Sequence, residues 1–189
     1  MSSLASTIEW PDCEVVRRLG DIEVRQYAPY TVAEVLVTGS SEEAATWAFP
    51  ILAGYIFGKN KGARAFATPS APEQLAAPLH FAMTAPVAQI ATAEGFIVQF
   101  VLPKGVTPAT APEPDDPRVS VREVPAHRLA AIRYSGFWSA SNHAIHLATL
   151  MAALKAVALR YSGEPAFCRY NVPWTPWFLR RNEIWLSLG

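Results

Sequence analysis

The chain has 189 residues, 51% of them apolar, and its 16 basic and 16 acidic side chains leave a formal net charge of zero. That length suits one domain with a substantial core. The charge balance argues against a nucleic-acid binder, which would carry a basic stripe, and against electrostatic attachment to anionic membranes.

Met1 to Glu9 lacks the basic start and apolar centre of a signal peptide. The longest apolar runs, 44–57 and 144–159, are interrupted by Pro50 and Gly54 and by His146 and Lys155. Neither reaches the roughly 18 uninterrupted apolar residues of a membrane span. A soluble cytoplasmic protein is expected. Cys13 and Cys168 are far apart and have no metal-type spacing, so they read as free thiols in a reducing compartment.

In chain order, 22–27 and 30–37 read as strands, with alternation over 31–37. A helix should start near Ser40 or Ser41, either of which can cap it, with Glu42 and Glu43 in its first turn. Ala44, Trp47, Ala48, Ile51, Leu52, Tyr55 and Ile56 make the face expected on a sheet. The opposite face carries Thr46, Phe49, Pro50, Ala53, Gly54 and Phe57 and is also uncharged. A helix apolar on both faces is buried twice or lines a groove. Residues 61–78 read as a loop, and 96–102 as an apolar strand stopped by Pro103. The proline-rich segment 103–117 reads as an exposed linker. Strands follow at 119–124 and 129–134. A second helix at about 139–161 carries one stripe of Ala144, Leu147, Ala148, Met151 and Leu154. A second, mixed stripe holds His143, His146, Leu150, Ala153 and Val157, and a last strand closes the chain after Glu183.

The chain also resembles itself. Val24–Tyr27 lies over Val121–Val124, Val32–Ala33 over Leu129–Ala130, Val35 over Ile132 and Gly39 over Gly136. Further on, Thr84–Val87 is set against Asn171–Trp174, and Ile97–Val98 against Ile184–Trp185. A duplicated unit of two strands, a helix and two strands is expected, with halves at about 12–102 and 117–188.

Four blocks carry a family resemblance: the hairpin at 22–35, Tyr55-Ile56-Phe57-Gly58-Lys59-Asn60, Phe81-Ala82-Met83-Thr84-Ala85-Pro86-Val87, and the run from Tyr170 to Leu186 with its Arg-Arg-Asn-Glu. In this order and over nearly the whole chain they resemble the SOUL/heme-binding-protein family. The resemblance implies an α+β fold, a distorted barrel-like antiparallel sheet of about eight strands with two long helices, as in gyrase-inhibitor-like ligand-binding domains. It implies a tetrapyrrole ligand, heme foremost, or another hydrophobic small molecule, in an apolar groove beside the first helix.

The candidate binding residues are Thr46, Phe49, Ala53, Gly54 and Phe57 on that helix, with Met83, His143, His146 and Arg180. Thr46, Ala53 and Gly54 stand where some family members have basic residues, so the nearest cations are Lys59, Lys61 and Arg64 just past the helix. His143 and His146 read either as an axial ligand or clamp, or as helix histidines with no ligand; Met83 reads as a porphyrin contact or as core filler. Arg180 or Arg181 can pair with Glu183 or bind a ligand carboxylate. The sequence shows no nucleophile motif, no phosphate loop and no metal-ligand cluster, so no catalytic residue is named. Two alternatives stay open: a hydrolase using Glu34, Glu183 or Tyr170 in a pocket that raises a carboxyl pKa, and a homodimeric interaction module.

Overall fold

Period-two alternation builds most of the molecule, and two helices cover one side of what it builds. A computed structural model describes residues 9–62, 77–171 and 174–189. Its strands are β1 (Cys13–Leu19), β2 (Ile22–Tyr27), β3 (Tyr30–Val37), β4 (Val87–Thr92), β5 (Gly95–Val101), β6 (Ser120–Val124), β7 (His127–Tyr134), β8 (Tyr161–Arg169) and β9 (Asn182–Leu188). Helix α1 spans Ser41–Ile56 and α2 spans Ala140–Ala156, with a short 3-10 turn at Trp177–Leu179.

The strands form one sheet in the order β1-β2-β7-β9-β8-β4-β5-β3-β6, with antiparallel neighbours throughout. The sheet stays open, with β1 and β6 at its edges. The fold is α+β as expected, with one strand beyond the eight. The extra strand, β1, is exposed along nearly its whole length, so it carries no inside–outside alternation to reveal it. From β2 to β6 the order is symmetric about the central β4–β8 pair, under exchange of β2 with β6, β3 with β7, α1 with α2, β4 with β8 and β5 with β9. The first strand of each set pairs with the other set: β2 with β7, and β6 with β3.

Three expectations are corrected. Strands β2 and β3 do not form the expected hairpin: β2 lies between β1 and β7 and β3 between β5 and β6, so each gives its edges to other strands. The match of Thr84–Val87 to Asn171–Trp174 joins unlike places, since the first lies ahead of β4 and the second between β8 and β9. Segment 103–117 is not simply an exposed linker: Ala111 and Pro112 are buried, and the Pro112 carbonyl accepts a hydrogen bond of 2.9 Å from the Tyr55 hydroxyl. Most of the expected 61–78 loop lies outside the described residues.

Both helices lie on one face. Across the central pair Val87 faces Arg169 and Gln89 faces Phe167, and directly paired residues share a face. Val87 packs with the α1 core and Phe167 with the α2 core. The α1 core joins Ala48, Leu52, Tyr55 and Ile56 to Val35, Val98 and Phe100; the α2 core joins Leu150 and Leu154 to Ile22, Ile132, Ile184 and Leu186. The other face has its own cluster, Tyr27, Leu129, Ala131, Cys168 and Trp185. Because both faces of β9 are covered, neighbouring Ile184 and Trp185 are both buried.

Ser40 caps α1: its hydroxyl accepts from the Glu43 amide while the Glu43 carboxylate accepts from the Ser40 amide. Replacing Ser40 with alanine should cost about 1 kcal/mol, read as a lower melting temperature with unchanged far-UV circular dichroism. Gly95 has φ +143°, and a Cβ there would stand 2.3 Å from the Val37 carbonyl oxygen. The turn into β5 therefore requires glycine where β3 passes.

Candidate ligand site on the first helix

The buried side of α1 is narrow. Ala44, Ala48, Leu52, Tyr55 and Ile56 face the sheet, whereas Trp47, expected among them, is 66% exposed. At 3.6 residues per turn Trp47 sits about 100° round from the middle of that stripe. On the outer side Phe49 is 41% and Phe57 is 52% exposed, with Ala53 and Gly54 half-buried between them. Thr46 is exposed and turns its hydroxyl back to the Glu42 carbonyl. Phe49 reaches round to meet Phe100 edge-on at 5.4 Å between ring centres. The outer half of α1 thus carries exposed aromatic side chains, with Trp47 and Phe49 on opposite flanks of the buried stripe.

A cavity of about 650 Å³ opens beside this helix, lined by Pro50, Ile51, Tyr55, Lys59, Asp116 and Arg118 among others. That volume falls in the range of ligand pockets, roughly 300–1,000 Å³. Gly54 gives Lys59 its place, because a Cβ there would come within 2.9 Å of the Lys59 Cδ. Arg118 bonds Asp116 through two nitrogens, at 2.9 and 2.6 Å, and the Arg118 hydrogen bonds hold that carboxyl down at about 2. His80 pairs with Phe57 across an isolated bridge, and its ring stands 3.0 Å from where a Cβ on Gly58 would be. The chain thus returns His80 to the end of α1. Lys61 pairs with Glu113; Arg64 lies outside the described residues.

The other candidates lie elsewhere. Met83 is half-buried against the α1 core. His143 stacks on Phe167 at 4.5 Å and His146 on Tyr134 at 4.3 Å between ring centres, so both are packed between α2 and the sheet. Burial lowers the pKa of both rings, and Arg169 lowers His143 further. The sheet side of α2 therefore takes His143, His146 and Leu150 from the mixed stripe and Leu147 and Leu154 from the apolar one, while Ala144, Ala148 and Met151 are exposed. The imidazoles lie on the same side as Leu150 and Leu154, which are fully buried.

Arg180 donates from Nε to the Thr175 carbonyl at 2.8 Å. Arg181 is the arginine seen bonding Glu183, through Nε at 3.1 Å and a terminal nitrogen at 2.7 Å. Glu183 is wholly buried and also accepts two bonds from Arg25, at 2.8 and 3.0 Å, one from the Tyr170 hydroxyl at 2.9 Å and one from the Trp185 indole at 2.7 Å. Burial would raise this carboxyl, but the bonds and charge of Arg25, the indole and the charge of Arg181 outweigh it and hold the pKa at about 2. A general acid or base at neutral pH needs the reverse shift, so the pocket-carboxylate expectation fails at Glu183. Among the described residues no group of three or more His, Cys, Asp or Glu could hold a metal ion. No helix of the described residues is long and apolar enough to cross a membrane.

The sequence profile of the SOUL heme-binding protein family matches residues 8–187. This chain belongs to that family. Comparison with curated protein sequences finds no match. Among solved structures, the C-terminal domain of EcmrR is similar at 12% identity and a TM-score of 0.59, over 89% of this chain and 96% of that one. A hydrolase from Listeria innocua is similar at 12% identity and a TM-score of 0.58, over 89% of this chain and 92% of that one. An uncharacterised conserved protein from Listeria innocua matches at 11% identity with a TM-score of 0.59, over 89% and 92% of the two chains. At these identities the likeness is one of fold. The SOUL chain described here shares with these structures an α+β plan on which ligand sites and reactions both differ.

Proposed function

We propose that this SOUL protein binds a hydrophobic, roughly planar ligand of the tetrapyrrole class, heme foremost, on the outer face of α1. The observation that carries the reading is the exposure of Trp47, Phe49 and Phe57 along α1 and at its C-terminal end, together with the cavity that Pro50 and Ile51 line. Exposed apolar surface of this kind marks a binding site. The residues fit the group: Phe49 and Phe57 would give a macrocycle apolar contact, Thr46 and Ala53 are small, and the Lys59 ammonium, seated over Gly54, can meet a propionate. When bound, heme would supply its iron chemistry. The protein's part is apolar burial with weak or absent ligation of the iron, and His80 is the imidazole at this end of α1. Met83 supports α1 from the core, and Arg180 belongs to the far connection.

Titration of hemin into the full chain, followed at the Soret band, should show saturable one-to-one binding that Ala53→Glu abolishes. No spectral change, or binding indifferent to that substitution, would count against ligand and site together. A sharp low-spin spectrum lost in His143→Ala or His146→Ala would overturn the axial part of the reading.

A second reading has its own observation. Helix α2 presents Ala144, Ile145, Ala148 and Met151 to solvent, a face suited to a homodimer. A monomer in sedimentation velocity at high protein concentration would remove it.

A further inference from the structure

Among the described residues two buried side-chain atoms have no hydrogen-bond partner, Arg169 Nε and Gln89 Oε1. They lie on the two central strands and point to the same, helix-bearing face. Arg169, on β8, is 9% exposed. Among the described residues it makes no side-chain hydrogen bond and no ion pair, and the Trp138 ring covers it, with the ring centre 3.1 Å from the guanidinium carbon. The groups around it are Tyr134, His143 and Cys168, none of them an acid of the carboxylate kind. A guanidinium buried without a counter-charge costs several kcal/mol.

The surroundings add positive potential. Gln89, on β4, donates to the carbonyl and hydroxyl of Ser41, the first residue of α1, at 2.8 and 2.9 Å. Trp138 directly precedes Ser139, the N-cap of α2, and its indole is tied to Asn182 at 2.7 Å. Ser41 at the start of α1 is thus held against β4, and the N-cap of α2 follows the indole that covers Arg169 on β8; each helix N-terminus carries partial positive charge. The first turn of α2 holds no acid; that of α1 holds Glu42 and Glu43, and Glu43 is engaged in capping Ser40. The indole covers the flat side of the guanidinium, which leaves the donors in its plane directed elsewhere.

We propose that this seam is an oxyanion site, in which the carboxylate or phosphate group of a ligand bonds the guanidinium edge of Arg169 beside the N-terminal end of α2. One group then supplies the missing counter-charge and accepts from the unused donors. The apolar neighbours Trp138 and Phe167 suit an anion attached to an aromatic or aliphatic body as well as a free ion. The site is separate from the outer face of α1 and does not depend on heme.

The test titrates the full chain at constant ionic strength with inorganic phosphate in one arm and 2-naphthoate in the other, followed by tryptophan fluorescence and thermal unfolding. At least one arm should saturate at one ion per chain and raise the melting temperature, and the responding arm names the source of the anion. Binding should weaken at least about tenfold in Arg169→Met, the scale of a lost charge-assisted hydrogen bond. Arg169→Lys, which keeps the charge and loses the fork, should bind several-fold more weakly than the parent and serves if the methionine variant does not fold. Ala53→Glu should leave the response intact. Neither arm saturating, or both Arg169 variants binding like the parent, overturns the proposal.

Discussion

Deleting residues 170–189 should abolish cooperative folding altogether. Strand β9 lies between β7 and β8 and pairs along both, so its loss opens the sheet near its middle. The deletion also removes Ile184 and Leu186 from the α2 core and Trp185 from the opposite cluster. Arg25 would keep its buried place and lose the carboxylate that faces it. Trp185→Ala tests the same block more gently. The ring is buried against Tyr27, at 5.3 Å between centres, and its removal should cost about 3–5 kcal/mol. Thermal melts by circular dichroism read both. A truncated chain that unfolds cooperatively near the full-length temperature would show the block to be peripheral.

What was legible in the sequence followed from short-range periodicity. Alternation marks β2, β3, β6 and β7, a dense apolar run marks β5, and the caps and apolar repeat mark α1, because those signals lie within a few residues. Three things escaped for physical reasons. Edge strand β1 is exposed along both faces and so lacks alternation. Helix α2 has apolar or small residues nearly all round, so composition could not say which stripe meets the sheet; packing against Tyr134 and Phe167 decided for the histidine side. The partner of Glu183 was sought among its neighbours, and Arg181 does bond it, but Arg25 lies 158 residues away. One signal was available: Arg25 stands in β2 near buried Val24 and Tyr27, and a buried charge is tolerated only beside its opposite. For the ligand site, the outer face of α1 could be read from its missing charges. The seam at Arg169 could not, because it needs Trp138 and the start of α2 placed over β8.

Glu183→Gln should destabilise the protein by about 3–5 kcal/mol at neutral pH, the scale of breaking a buried ion pair from one side. The carboxylate stands in an alternating line of charges: Arg18 pairs with Glu23, Glu23 with Arg25, Arg25 with Glu183 and Glu183 with Arg181. The amide keeps the shape and removes the charge, which leaves Arg25 buried against neutral groups. The pH dependence has a definite sign. The folded carboxyl sits at about 2, below its ordinary value of 4.5, so the unfolded chain binds the proton more readily. The stability from Glu183 is therefore complete above about pH 4.5 and is lost as pH falls toward 2. The parent should lose stability across that window, and Glu183→Gln should show a flatter profile there. Exposed Asp116, held at about 2 by Arg118, adds only a small slope common to both proteins because solvent screens it. Equilibrium urea unfolding at pH 7, 4.5 and 3 gives the comparison. Equal stability of the two proteins at pH 7, or parallel losses between pH 4.5 and 3, would mean that the buried carboxylate does not hold β2 to β9.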